Sequence, residues 1–203
     1  MRFTLSVALM EQSKLNSFRL SQKTNTFFTI FTKGTNIMKM TLKNTINAPI
    51  PDVWDKLAIH FDRAADWMSL IPKSVEKVDG LAVDGAPMVG RVCDLTTKPN
   101  GPYVDETIIA YDATQSAFTV KVVPVGGRLP IIQNLITFSL KDLGNNRTEM
   151  TWDSDIELKT AGKLLSPLLK RGLSKNLSEQ MDELKYYVEN NQPHPRKLAA
   201  LKQ

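Results

Sequence analysis

At 203 residues the chain suits one domain with an appendage, since a second core would be cramped at this length. Its 42% hydrophobic and 23% charged residues are ordinary for a globular protein, no apolar run approaches the roughly 20 residues of a membrane-spanning helix, and a single cysteine excludes an internal disulfide and a multi-cysteine metal cage. The net charge of +5 argues poorly for a polyanion groove, because much of it sits at the start, where Arg2, Lys14, Arg19, Lys23 and Lys33 stand against Glu11 alone.

Residues 1–37 are rich in Ser, Thr, Asn, Phe and Lys and nearly free of acids, a composition that resembles organelle transit segments. The apolar stretch Leu5–Met10 is too short for a secretory signal, and no small-residue cleavage site follows it. The alternative is translation from Met38 or Met40, just ahead of the first patterned strand. Either way the extension is expected to be poorly ordered. The expected compartment is the reducing cytoplasm, or an organelle if the segment directs import.

From Met38, the residues Met40, Leu42, Asn44, Ile46 and Ala48 alternate with Lys39, Thr41, Lys43, Thr45 and Asn47, the period of a strand with one wet face. Pro49 and Pro51 end it, and Pro51 suits the first turn of a helix with Asp52 near its positive end. Val53, Trp54, Leu57 and Ala58 form that helix's apolar stripe, and Phe61, Ala64, Ala65, Trp67 and Met68 form a second one. Strands are expected at about 74–79, 88–97, 103–112, 116–124, 131–142 and 147–158. Asp79-Gly80, Asp84-Gly85, Asn100-Gly101 and Gly144-Asn145-Asn146 separate them, so neighbours should pair antiparallel. Leu164, Leu165, Leu168, Leu169, Leu173, Leu177, Met181, Leu184 and Val188 then recur at helical steps, with Pro167 starting or kinking a long helix. The domain is expected over 38–190, with 191–203 a frayed tail.

One strand, two short helices, six antiparallel strands and a long amphipathic helix describe an α+β domain in which the helix covers a curved sheet. The segments "INAPIPDVWDKL", "VGRVCDLTT", "VDETIIAYD" and "TEMTWDSDIEL", in that order, resemble landmarks of the START and polyketide-cyclase/dehydrase superfamily, which shares the helix-grip fold of the birch-pollen allergen. The resemblance implies about seven strands wrapped around the long helix, with a cavity between them that holds a lipophilic ligand.

Projecting the alternation inward gives candidate walls: Cys93 and Leu95; Val104, Glu106 and Ile108; Phe118, Val120 and Val122; Ile136, Phe138 and Leu140; and Met150, Trp152 and Ile156. Leu169, Leu173 and Leu177 would face them from the helix. Trp54 and Trp67 either pack as core or line the entrance. Glu106 is the one carboxyl in this set; it is expected either protonated, with a raised pKa, or holding a ligand hydroxyl or cation, unless the opposite register leaves it wet. Many relatives carry an arginine about where Cys93 stands, so Glu106 is expected to lack that internal partner. Arg128, in the loop "PVGGRLP", is a candidate gate to acidic head groups.

The implied function is a carrier or sensor of a small hydrophobic molecule, with no cofactor and no metal. The alternative is a cyclase or dehydratase with Glu106 as acid or base; Tyr103 and Tyr111 are expected on the strand face opposite it. A third reading is a module that binds a protein through the final helix. His60 and His194 do not form a triad or a metal pair, and Cys93 has no evident adjacent base. Lys163, Lys170, Arg171 and Lys175 offer at most peripheral contact with anionic membrane, against the simpler reading of a solvated helix face. No motif supports nucleic acid.

Overall fold

In the computed structural model, which describes residues 37–127, 129–162 and 165–202, the alternating opening segment is a strand, β1 (Ile37–Ile46), that buries Met38, Met40 and Ile46. The extension up to residue 36, Arg128, Lys163 and Leu164 lie outside the described residues. Pro49 stops β1 in extended backbone, and Pro51 sits in the first turn of α1 (Ile50–Trp54), where its missing N–H has no helical partner to lose. The chain continues through a wide π-helical turn at Asp55–Ile59 and a tight turn at Phe61–Arg63 into α2 (Ala64–Trp67).

Six strands follow: β2 (Lys73–Glu76), β3 (Gly90–Asp94), β4 (Tyr103–Asp112), β5 (Ala117–Val125), β6 (Ile131–Gly144) and β7 (Arg147–Leu158). They form one antiparallel sheet in the order β1-β7-β6-β5-β4-β3-β2, a meander closed by β1 lying beside β7. The β6–β7 turn shows why: Asn145 and Asn146 both hold positive φ, 54° and 53°, the conformation whose twist suits a two-residue hairpin and which asparagine tolerates.

The long helix α3 (Ser166–Asn190) carries Pro167 in its first turn, and Asn191, at φ 51°, closes it by donating its N–H to the Tyr187 carbonyl at 2.9 Å. Met181 and Leu184 are fully buried on its inner face, with Leu169, Leu173 and Leu177 partly so. Leu165 and Leu168, expected on the same stripe, are 53% and 71% exposed. Leu165 stands before the first turn, and Leu168 is rotated about 100° from Leu169 around the axis.

The tail expected to fray instead forms α4 (Pro195–Ala200), capped by His194, whose Nδ1 accepts the Arg196 N–H at 3.0 Å. Arg196 donates to Glu183 Oε1 at 2.9 Å and to the Glu179 carbonyl at 2.8 Å; the buried Lys197 Nζ donates to the Ile71 carbonyl at 2.8 Å. These anchors are long-range partners that no local periodicity announces.

Apolar packing divides into two clusters. One joins the short helices to the sheet through Phe61, Trp67, Phe118, Phe138 and Trp152, with Met181 and Leu184 above. The other groups Met38, Met40, Ile131, Ile156 and Leu158 under Leu169, Leu173 and Leu177.

Candidate functional site: a cavity between the sheet and the long helix

Members of both clusters surround a cavity of about 420 Å³. Its floor is the inner face of β3–β7, its roof is α3 at Leu173, Asn176, Leu177 and Gln180, and one wall comes from the short-helix segment at Phe61, Trp67, Met68, Leu70 and Ile71. This volume lies within the range of small-molecule sites, roughly 300 to 1,000 Å³. Among the described lining residues, Arg91 and Glu106 are the charged ones.

Strand register explains their meeting. Arg91 on β3 stands opposite Glu106 on β4, Glu106 opposite Val122 on β5, Val122 opposite Asn134 on β6, and Asn134 opposite Ile156 on β7, which makes one row across the inner face. Arg91 Nε donates to Glu106 Oε2 at 2.6 Å, Nη1 donates to the Phe61 carbonyl at 2.7 Å, and the guanidinium lies 3.8 Å from the Phe61 ring centroid. Both ionic side chains are buried. Burial works against the arginine's charge, but the adjacent Glu106 carboxylate outweighs it and holds the guanidinium above its ordinary pKa. Glu106 is therefore neither wet nor alone, contrary to the expectation that it has no internal partner. The arginine stands two residues before Cys93, on the same face. Continuing the alternation from Cys93 back to Arg91 is the signal that sequence reasoning missed.

Of the residues proposed to line a pocket, Trp67, Leu95, Val104, Glu106, Val122, Ile136, Phe138, Trp152, Leu173 and Leu177 do so. Trp54, Cys93, Ile108, Phe118, Val120, Met150 and Leu169 do not. The first six pack in or against the short-helix cluster: Trp54 lies 5.4 Å from Tyr111 and 5.6 Å from Phe118 between ring centroids, while Ile108, Phe118, Val120 and Met150 are buried beneath those helices. Leu169 packs against the other cluster. Leu140 and Ile156 are likewise core rather than cavity wall. Alternation identifies the inner face, yet it cannot say which part of that face is covered by protein and which is left open. Arg128 lies outside the described residues.

Cys93 is wholly buried, and burial pushes its thiol up to about 11, so it behaves as a small hydrophobe. Tyr111 is a correction. A bulge between Ile108 and Ala110 shifts the phase of β4, so Tyr111 pairs with Phe118 and packs on the inner face rather than opposite Glu106. His60 lies at the surface beside Asp55, far in the chain from the helix-capping His194. Lys170, Arg171 and Lys175 are exposed on α3. No group of three His, Cys, Asp or Glu residues able to hold a metal occurs among the described residues, and no described helix is long and apolar enough to cross a membrane.

Among the described residues, the buried side-chain atoms Asn134 Oδ1, Trp152 Nε1 and Ser154 Oγ have no hydrogen-bond partner. Asn134 and Trp152 line the cavity. Above them Gln180 Nε2 donates to Asn176 Oδ1 at 2.6 Å. The wall at Met68–Ile71 is fixed from behind: the buried Glu183 accepts from Ser69 N–H at 2.8 Å, from Ser69 Oγ at 2.6 Å and from Arg196, and Lys197 holds the Ile71 carbonyl. Burial holds the Lys197 ammonium below its ordinary pKa, against the pull of Asp66 and Glu183.

Residues 38–189 match the model of the family described as polyketide cyclase / dehydrase and lipid transport. Against curated proteins, no sequence match is found. Solved structures with the same fold include protein XoxI from Bacillus cereus, 18% identical with a TM-score of 0.54 over 77% of this chain and 99% of that one. Norcoclaurine synthase from Thalictrum flavum, a point mutant in complex with a transition-state analogue, is 14% identical with a TM-score of 0.53 over 77% and 96%. Ara h 8.0201 is 13% identical with a TM-score of 0.54 over 75% and 97%. At these identities the likeness shows the fold, the helix-grip arrangement of a curved sheet around a long helix.

Proposed function

The chain belongs to the polyketide cyclase / dehydrase and lipid transport family, and on that premise we propose that it carries or senses a small hydrophobic molecule held between its sheet and α3. The observation that supports this most is the cavity itself, about 420 Å³ of space walled by side chains such as Trp67, Ile136, Phe138, Leu173 and Leu177. Apolar surface brought out of water there contributes roughly 25 cal/mol per Å². The Arg91–Glu106 pair and the cavity's amides supply orientation rather than most of the affinity.

Filling the space tests the proposal. Val122 lines the cavity, whereas Val120 is fully buried outside it, so Val122→Phe is the variant that occupies ligand volume. Native mass spectrometry of wild-type protein should show a retained lipophile, or uptake of added Nile red. Val122→Phe should lose that binding while keeping its circular dichroism spectrum. Undiminished binding in this variant refutes the cavity as the ligand site.

The position of Glu106 in the cavity wall supports a second reading, a cyclase or dehydratase in which that carboxyl moves a proton. Its hydrogen bond from Arg91 makes the carrier reading the better supported, because the carboxylate is already engaged. On the carrier reading, Glu106→Gln retains most ligand affinity. On the enzyme reading, it loses turnover with binding largely intact.

A further inference from the structure

Resting on the carrier or sensor reading above, we infer that the mouth of the cavity docks on an anionic phospholipid bilayer, with Leu165 and Leu168 entering the lipid and the basic side chains beside them meeting its phosphates. Exposure locates the mouth. Leu70 and Leu129 line the cavity and are also 44% and 42% exposed, so they stand where it opens to the outside. The start of α3 adjoins that rim. Lys159 N–H donates to the Pro130 carbonyl at 2.9 Å, Lys159 Nζ donates to the Leu129 carbonyl at 3.2 Å, and a Cβ on Gly162 would lie 2.9 Å from the same Pro130 oxygen. Leu165 follows three residues after Gly162, a reach of at most about 10 Å.

Folding leaves Leu165 and Leu168 without protein cover, and with the rim leucines they make an uncovered apolar patch. Helical spacing puts Leu165, Leu168 and Gly172 on one stripe, turned away from Leu173 and Leu177, which line the cavity. This stripe therefore adds nothing to the core.

Charge selects its occupant. Residues 159–178 include Lys159, Lys163, Lys170, Arg171 and Lys175 and no acidic residue. Arg171 and Lys175 come three and seven positions after Leu168, so cations flank that leucine on the outer side of the helix. Lys170 and Arg171 also border a groove between α3 and β1. Among the described residues, neither has a carboxylate within ion-pair distance, and Lys175 reaches Glu179 only at 3.9 Å. Leucines ringed by such cations match a surface that is apolar within and negatively charged at its edge, which is the make-up of an anionic bilayer. A second copy of this chain fits less well, because a two-fold contact through this patch would set the same cations against each other. Docked on lipid in this way, the cavity passes a hydrophobic guest to or from the bilayer without exposing it to water.

Vesicle flotation of the full chain tests the inference, with phosphatidylcholine alone and with seven parts phosphatidylcholine to three parts phosphatidylglycerol. The anionic vesicles should be bound at least tenfold more tightly than the neutral ones, and the affinity should fall as salt is raised. Leu168→Glu and the double variant Arg171→Glu, Lys175→Glu should each lose at least tenfold in that binding. Both should hold Nile red, with no vesicles present, within twofold of wild-type affinity, since none of the three side chains lines the cavity. Leu168 is exposed in the first turn of α3, where a glutamate favours the helix, so its loss of binding is not loss of fold. Orientation is read from an environment-sensitive fluorophore on Gly172→Cys, where an added Cβ meets nothing within 4 Å and the native Cys93 is buried away from the reagent. Its emission should shift to the blue on anionic vesicles, whereas the same label on Arg147→Cys, at the far end of β7, should not respond. Anionic binding unchanged in both charge variants overturns the inference, the result expected if the basic extension ahead of β1 holds the vesicle instead. Equal binding of neutral vesicles, or a shift at Arg147→Cys alone, also overturns it. A dimer that Leu168→Glu dissociates, with no vesicle binding, overturns it in favour of self-association. Failure of the wild-type protein to bind Nile red defeats the carrier reading, an outcome separate from vesicle binding.

Discussion

Gly90 shows how closely single residues are fitted around the buried ion pair. A Cβ at Gly90 would lie 2.0 Å from the Glu106 carbonyl oxygen, so only glycine lets β3 approach β4 where Arg91 must meet Glu106. Cys93, one step along the same face, offers a pH test. Its thiol is held at about 11 against an ordinary 9.0, so the folded state keeps a proton that the unfolded state releases first. That raised value stabilises the fold fully below about pH 9, and the contribution is lost as pH rises from there toward 11, amounting to about 3 kcal/mol in all. Urea unfolding between pH 8 and 11 should therefore show a steeper loss of stability for wild type than for Cys93→Ala. Parallel curves would refute the assignment. In the native state at pH 8, Cys93 should resist thiol reagents that label the unfolded chain at once. Of these residues, Glu106 was legible as a polar exception on an apolar face. Its partner needed only one more step of the same alternation, from Cys93 back to Arg91.

The elements most faithful to sequence pattern are those with the most repeats. β7 alternates over its whole length and pairs as alternation predicts, and α3 keeps its buried stripe from Leu169 to Leu184. Departures occur where one element answers to another. The bulge in β4 reverses the face of Tyr111, and it does so where Trp54 of α1 packs against that ring. The C-terminal residues 195–200 leave Leu198 46% exposed and are anchored instead through polar contacts to Glu183, Glu179 and Ile71. Replacing Arg196 by Leu leaves Glu183, 1% exposed, without its cation and should cost about 3 kcal/mol in urea unfolding. Amide exchange at residues 66–72 should accelerate selectively, because Ser69 and Ile71 are held by the same anchors. Unchanged exchange there would mean that α4 does not brace the cavity wall.

At the scale of the whole molecule, the open volume couples occupancy to stability. A guest that binds only the folded chain at a hundredfold excess over its Kd stabilises it by about 2.7 kcal/mol. For a chain of this size that corresponds to a rise in Tm of roughly 5 to 10 °C. A thermal melt with and without saturating Nile red measures it, and Val122→Phe should flatten the difference. The sequence alone determined the order of elements through the long helix, the antiparallel pairing and the inward face of the strands outside the bulged end of β4, because periodicity and turn chemistry are local properties of the chain. Tertiary structure alone decided that Arg91 pairs with Glu106, that the tail folds back onto α3, and which inward residues are packed and which border the cavity. Those outcomes depend on distances between segments far apart in the chain, and a repeat of two or of three to four residues carries no information about them.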